Sequence, residues 1–362
     1  MVEPSDEAFG DALRERTEQY WRDRLATAMQ AEIPDELLGN LFKASQVHCF
    51  LAARNEDDGA RIDAWISSAY YASLDTESHA ILHGMDLWGQ HDFARRTLAF
   101  FLDRHKPEGY LSHGYTLVGT GQHLWWATAH YLLTGDTAWW EEVTPKLVQM
   151  CRWTAAQTEK TKRTDPYGEV VPQYGLVPPG TVADWQDWGH IYSQNGYYYA
   201  GLAAAAHALA DSGCAEADAF AAAADALREN IRRAYRWTTA RMPVVPRRDG
   251  AWIPGSPFQV LCPGPSTQFF PNYGLAWLYD AELGPHHLVD QGVFDAYDAE
   301  TTYMADDLED RQFMDFTFGV VTAEATREDW FSRGGYARAQ PYYGRFVQMH
   351  AKRDDVKPFL RS

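Results

Sequence analysis

The sequence predicts an all-α protein, a toroid of helical hairpins, on three observations. No stretch alternates apolar and polar residues beyond a few positions, so strands have no periodic support. Apolar residues at helical spacing recur along almost the whole chain. Short links such as GQH, GD and DSGC alternate with long ones at 159–190, 239–265 and 300–335, as they do when hairpins stack around a ring and gather their long loops on one face.

The elements follow in order. A leading helix is expected over Glu7 to Met29, and a second starts after Pro34-Asp35, with Asp35 as N-cap to a stripe of Leu38, Leu41, Phe42 and Cys49. This divides the chain into a lead-in at 1–34 and a helical domain at 35–362. Helices are then expected at Thr76 to Trp88, His91 to His105, Gly121 to Thr134, Ala138 to Thr158, Tyr192 to Ser212 and Ala215 to Thr238. Three more fall at Ser266 to Leu283, His286 to Ala299 and Ala337 to Lys352, and Asp354-Asp355-Val356 reads as the cap of an eleventh. Six hairpins need twelve helices, so the expectation is a toroid lacking its last hairpin in a chain incomplete at its C-terminus, with the leading helix filling part of the gap.

Composition narrows the partners. The 362 residues are 46% apolar, enough for a large core, and carry a net charge of −18 with pI near 5.1. No segment offers the basic face that nucleic acid or an anionic membrane would need, so neither is an expected partner. The acidic start, MVEPSDEAFGDALRERTEQYW, does not resemble a signal peptide, and no later apolar run approaches the roughly 20 residues of a membrane span. A cytoplasmic protein is expected. Cys49, Cys151, Cys214 and Cys262 are far apart and form no CxxC pair, so they read as free thiols; no cofactor or metal is expected.

Aromatics make up 14% of the residues, with 14 Trp, and many stand at segment junctions as WW or WQDW. Indole and phenol faces pack against the C–H face of a sugar ring, which gives such clusters a use outside a core. The densest is VADWQDWGHIYSQNGYYY, Val182 to Tyr199. A carboxyl group packed between indoles loses hydration, its pKa rises, and it can remain protonated to serve as an acid. Asp187, between Trp185 and Trp188, fits that description and Asp184 is its alternative, while Asp187 could equally cap the helix that follows. Trp185, Trp188, His190 and Asn195 complete the contact residues expected there.

Two further groups stand out. In YYASLDTESHAILHG, residues 70–84, Asp75, Glu77 and Ser78 are placed to satisfy the free amides of a helix start, with Trp65, Tyr70 and Tyr71 upstream as stacking faces. In HGYTLVGTGQHLWWATAHYLLTGD, His113, His123 and Trp125 are candidate sugar contacts, and Trp126 and Tyr131 read as core. His123 and His130 are seven apart and share a helical face, yet no Glu or third His stands at ligand spacing.

With these motifs the chain resembles the six-hairpin, (α/α)6-barrel glycosidases, among them glucoamylases, trehalases, α-glucosidase I-like enzymes and the catalytic domains of α-L-rhamnosidases. TEQYWRDRLATAMQAEIPDELLGNLFKASQ looks like the lead-in those proteins place before the first barrel helix. The resemblance implies a glycoside hydrolase, inverting, acting on an oligo- or polysaccharide. It places the general acid between the fifth and sixth barrel helices, where DWQDWG falls. In glucoamylases the acid belongs to a Trp-Glu-Glu motif; here Gln186 stands at the Glu position and Asp187 one step later, which keeps Asp184 as the alternative acid. The group's Asp at the start of the second barrel helix, which binds sugar hydroxyls, matches Asp75. Its catalytic base usually lies between the eleventh and twelfth helices, beyond Ser362 on this count; Asp306, Asp307, Glu309 and Asp315 are the internal acidic candidates, in what reads as a solvated loop. Two other readings stand beside this one. A polysaccharide lyase on a related toroid would use Tyr and His beside a uronate, but 182–199 contains no Arg or Lys to hold one. A non-catalytic carbohydrate-binding domain, or an inactive fragment, is the other.

Overall fold

The structure, a computed structural model, describes residues 7–64, 74–111, 118–180, 188–247, 249–262, 283–313 and 345–361. These residues are predominantly helical, and the all-α class is correct. The chain divides into two compact units, Met1–Asp103 with His130–Gly135, and Arg104–Ala129 with Asp136–Ser362. The helix expected at Ser266 to Leu283 and the first part of that at Ala337 to Lys352 lie outside the described residues.

In the first unit, α1 (Glu7–Ala26) and α2 (Glu36–Leu51) precede a small antiparallel hairpin, β1 (Ala53–Glu56) and β2 (Arg61–Ala64). The helical hairpin α3 (Asp75–Leu87) and α4 (His91–Leu102) follows. Asp35 caps α2 as expected, its carboxylate accepting the amide of Leu38 at 2.9 Å. The stripe assigned to α2 is only partly buried: Leu38 and Leu41 are exposed, while Phe42 meets Trp88 edge to face at 5.6 Å. The core of this unit is built instead from α3, α4 and β2, through Ile62, Leu82, Met85, Phe93, Leu98 and Phe101. Burial of that apolar surface is the dominant favourable contribution.

The second unit holds most of α5 (Val118–Thr134), α6 (Thr137–Glu159), α7 (Tyr192–Asp211) and α8 (Ala217–Thr239). Asp136 caps α6 by accepting the amide of Trp139. Helix α7 is buried on nearly every side, which its run of Ala and Gly permits: Gly121 of α5 lies so close that a Cβ there would sit 2.8 Å from the amide nitrogen of Tyr198. Helix α8 is amphipathic and lays Phe220, Leu227, Ile231 and Tyr235 inward. Tyr192 crosses to it, its hydroxyl donating to the carbonyl of Ala234 at 2.9 Å. A second short hairpin, β3 (Val244–Pro246) with β4 (Trp252–Pro254), leads to α9 (His287–Asp290), α10 (Ala299–Asp307), a π-helical turn (Leu308–Phe313), α11 (Phe346–Lys352) and α12 (Val356–Arg361).

Three expectations need correction. Strands have no periodic support in the sequence, yet 53–64 and the long link 239–265 each contain a strand pair too short to show alternation. The helix expected from His286 to Ala299 stops at Asp290, because Gly292 takes a φ of +77° and turns the chain. The loop expected from 300 begins as helix instead: Asp298 accepts the amide of Asp295 at 3.0 Å, Thr301 donates to the Asp295 carbonyl at 2.7 Å, and α10 starts from that arrangement. All four cysteines are free thiols, with Cys151 and Cys262 buried.

Candidate functional site

The VADWQDWGHIYSQNGYYY segment runs into the N-terminus of α7. Gly180 and Gly189 exchange two backbone hydrogen bonds of 3.1 Å, a clasp that joins the chain on the two sides of residues 181–187. Asp184, Trp185 and Asp187 lie outside the described residues. Beyond them, Trp188 stands 71% exposed just before the clasp. The strand-like continuation is held from the other side as well: Tyr192 donates to the carbonyl of Phe258 and Val260 to that of His190, both at 3.0 Å. Gly189 passes so near Gln259 that a Cβ would collide with the Gln259 side-chain oxygen.

The base of this loop is a lattice of side-chain to backbone bonds. Asn195 accepts the amide of Val177 at 2.9 Å and donates to the carbonyl of Ile191 at 2.8 Å, so its whole amide group is committed to holding the chain on either side of the clasp. His190 lies with Nδ1 2.9 Å from the carbonyl of Val177. As the carbonyl only accepts, the imidazole proton sits on Nδ1 and Nε2 is left as an acceptor. Burial pushes the His190 pKa down, against the opposing influence of that hydrogen bond. Gln194 is fully buried beneath Gly180, and its amide has no hydrogen-bond partner among the described residues.

A second cluster of polar groups lines a cavity of about 410 Å³ in the same unit, among them Arg247, Asp306, Glu309, Asp310, His350 and Arg353. The guanidinium of Arg247 lies 3.2 Å from Asp306 and 3.8 Å from Asp310. His350 sits between Glu309 at 3.3 Å and Asp355 at 3.5 Å. Burial raises the pKa of Asp306, with Arg247 opposing. Asp306, Asp307 and Glu309 therefore occupy α10 and the π-helical turn rather than a solvated loop, a correction; Asp315 lies outside the described residues. Asp307 faces a different way, its carboxylate accepting the amide of Ser256 at 3.3 Å. The segment from Ser256 to Val260 thus touches α10 at one end and His190 to Tyr192, just past the clasp, at the other.

The remaining candidates are placed as follows. Trp65, Tyr71 and His113 lie outside the described residues. Asp75 and Glu77 stand in the first turn of α3, where Leu74 takes the cap position, so Asp75 is the first helical residue. Ser78, expected to help cap that helix, donates instead to the carbonyl of Ala64 at 2.8 Å, which fastens α3 to β2. Trp125 is half-buried, and His123 is fully buried, its ring 5.5 Å from that of His105 and 6.3 Å from that of Trp126. Trp126 is core, as expected. His130, which showed no third ligand at helical spacing, meets Asp86 and His91 across the fold. Sequence reasoning did not single out Gln194, Gln259, Arg247, Asp86 or His91. Gln194 lies within the aromatic stretch 182–199 but is buried beneath Gly180; Arg247 and Asp86 meet Asp306 and His130, distant in sequence.

No family model matches the sequence, and no curated protein matches it. Among solved structures, a metal-independent alpha mannosidase of Streptococcus pneumoniae, in a non-productive complex with alpha-1,6-mannobiose, is similar over 84% of this chain and 76% of its own. The two share 12% identity, with a TM-score of 0.48.

Proposed function

We propose that this chain is a glycoside hydrolase that inverts the anomeric centre of an oligo- or polysaccharide substrate, with Asp187 as general acid and Asp184 as its alternative. The observation that carries this reading is the glycine clasp at the head of α7. It fixes the chain on both sides of a sequence that sets Asp187 between Trp185 and Trp188, with Asp184 just before the first indole, and Trp188 presents a bare aromatic face at 71% exposure.

In this reading the carboxyl group, kept protonated by its indole neighbours, donates to the departing glycosidic oxygen while Trp188 stacks on the ring. His190, with Nε2 an acceptor, and Asn195, fixed below the loop, set the position of the acid rather than exchange protons. The second carboxylate, which inversion needs at roughly 6.5–9.5 Å from the acid to activate water, comes from the Asp306–Asp310 stretch. A strap of five residues, Ser256 to Val260, joins that stretch to the chain just past the clasp.

The test is hydrolysis by Asp187→Asn over a panel of natural and activated aryl glycosides. Loss of the transferable proton is expected to slow cleavage of natural linkages by about 10²–10⁴-fold and to spare aryl leaving groups, which depart unprotonated. Product anomers followed by NMR should invert. Undiminished cleavage of natural linkages by both Asp187→Asn and Asp184→Asn would end the assignment.

A further inference from the structure

We propose that Asp86, His91 and His130 form a binding site for one divalent transition-metal ion, of the borderline class that takes mixed nitrogen and oxygen ligands, as Zn²⁺ does. Three helices supply the ligands, and all three residues belong to the first unit. Asp86 comes from the last turn of α3, His91 opens α4, and His130 lies one turn before the end of α5. One ligand atom from each converges, and the three lie within 4.8 Å of one another. His91 Nδ1 is 2.6 Å from Asp86 Oδ1, and His130 Nδ1 is 2.9 Å from Oδ2 and 3.1 Å from Oδ1. Around a tetrahedral ion with bonds of about 2.0–2.1 Å, neighbouring ligand atoms stand about 3.3 Å apart. From Asp86 Oδ1, the separations of 2.6 Å to His91 and 3.1 Å to His130 therefore need to open by about 0.7 and 0.2 Å to admit the ion.

Charge gives the site its reason. The Asp86 side chain is fully buried, and both of its ion-pair contacts among the described residues are with imidazoles, not with Lys or Arg. A buried carboxylate requires compensating positive charge, and a neutral imidazole offers a hydrogen bond but no charge. A divalent cation supplies it. His130 is as buried as Asp86, whereas the His91 side chain is 43% exposed, which gives the ion a path in and leaves the fourth coordination position to water. Two nitrogens and one oxygen, with no thiolate, suit Zn²⁺, Co²⁺ or Ni²⁺ rather than Mg²⁺ or Ca²⁺, which prefer oxygen alone. The competing state is a metal-free hub in which both imidazoles donate Nδ1–H to the carboxylate. Coordination through Nδ1 moves each proton to Nε2, so the two states differ by tautomer.

The experiment uses the full chain, stripped with chelator and titrated with ZnCl₂ by calorimetry, with thermal unfolding and ¹⁵N NMR of the imidazoles in parallel. One ion per chain, a raised Tm and Nε2–H tautomers at two histidines are expected, and MgCl₂ should produce none of these. His91→Ala and His130→Ala should each weaken Zn²⁺ binding by at least about 10-fold. His207→Ala, at an exposed histidine 3.9 Å from Asp211, should leave it unchanged. If His130→Ala does not fold, the half-exposed His91 decides alone. A parent chain that shows neither heat nor a Tm shift with Zn²⁺, or Zn²⁺ binding that survives His91→Ala, would overturn the proposal.

Discussion

Asp86 and Asp306 both stand near the C-terminal end of a helix, in α3 and α10, yet their surroundings neutralise them in opposite ways. Asp86 is fully buried and, among the described residues, faced by two imidazoles. Asp306 shares a partly open cavity with Glu309, Asp310 and Asp355, where the guanidinium groups of Arg247 and Arg353 are permanently charged. The first arrangement has no redundancy, because removing one imidazole leaves the carboxylate with a single partner. The second has several interchangeable partners and access to water. A sparse buried centre suits tight coordination of one ion, and a crowded open one suits a polar ligand that exchanges.

The largest effect should come from the sparse centre. His130→Ala removes the buried hydrogen-bond partner of Asp86 and is expected to destabilise the first unit by about 1–3 kcal/mol, the cost of leaving a buried polar group without its hydrogen bond. Urea unfolding of the chelator-treated chain checks this. A loss below about 1 kcal/mol would erase the contrast between the two centres.

An intermediate effect belongs to His350 in the crowded centre. Glu309, Asp355 and Arg353 surround it, and His286 lies close by. Burial lowers its pKa below the ordinary 6.5, although Asp355 acts to raise it. The folded state therefore binds fewer protons than the unfolded state, so the stabilisation is present above about 6.5 and is lost as pH falls below that value towards the folded pKa. His350→Gln should flatten the loss of stability between about pH 7 and pH 5, by up to about 1.4 kcal/mol per pH unit. Identical slopes in parent and variant would show that His350 titrates normally.

The smallest effect is expected at Arg247. Its partners Asp249, Asp306 and Asp310 lie at 3.2–3.8 Å in a setting about one third exposed. Arg247→Ala should cost no more than about 1 kcal/mol. A loss as large as that of His130→Ala would mean the open centre has no spare partners after all.

Much of the helical framework is legible in the sequence because local chemistry sets it. Asp35 caps α2 from its own neighbourhood, and Tyr192 starts α7 within one position of its expected start. Where local and distant influences compete, local reading fails. Apolar residues continue through Leu288, Val289, Val293 and Phe294, which suggests one helix, but Gly292 and the Asp295–Asp298 turn break it. The stripe on α2 contains apolar residues at helical spacing that the described fold leaves exposed. The roles of site residues depend still more on distance. Asn195 matters through Val177, 18 positions earlier, and His130 meets Asp86 44 positions away; a search for ligands along one helix finds neither. The carboxylates at 306–310 read as solvated because acidic runs normally are, and only the cavity around them gives them partners.

The glycine clasp has one more consequence. Its two hydrogen bonds, together with Asn195 and the Phe258–Val260 strap, fix where the chain leaves and rejoins the fold, whatever lies between residues 180 and 189. Lengthening a loop whose ends are pinned costs only slowly growing closure entropy, about 0.6 kcal/mol for each doubling. A longer or shorter stretch between the two glycines should therefore leave the start of α7 where it is, which separates the length of that stretch from the placement of the helix behind it.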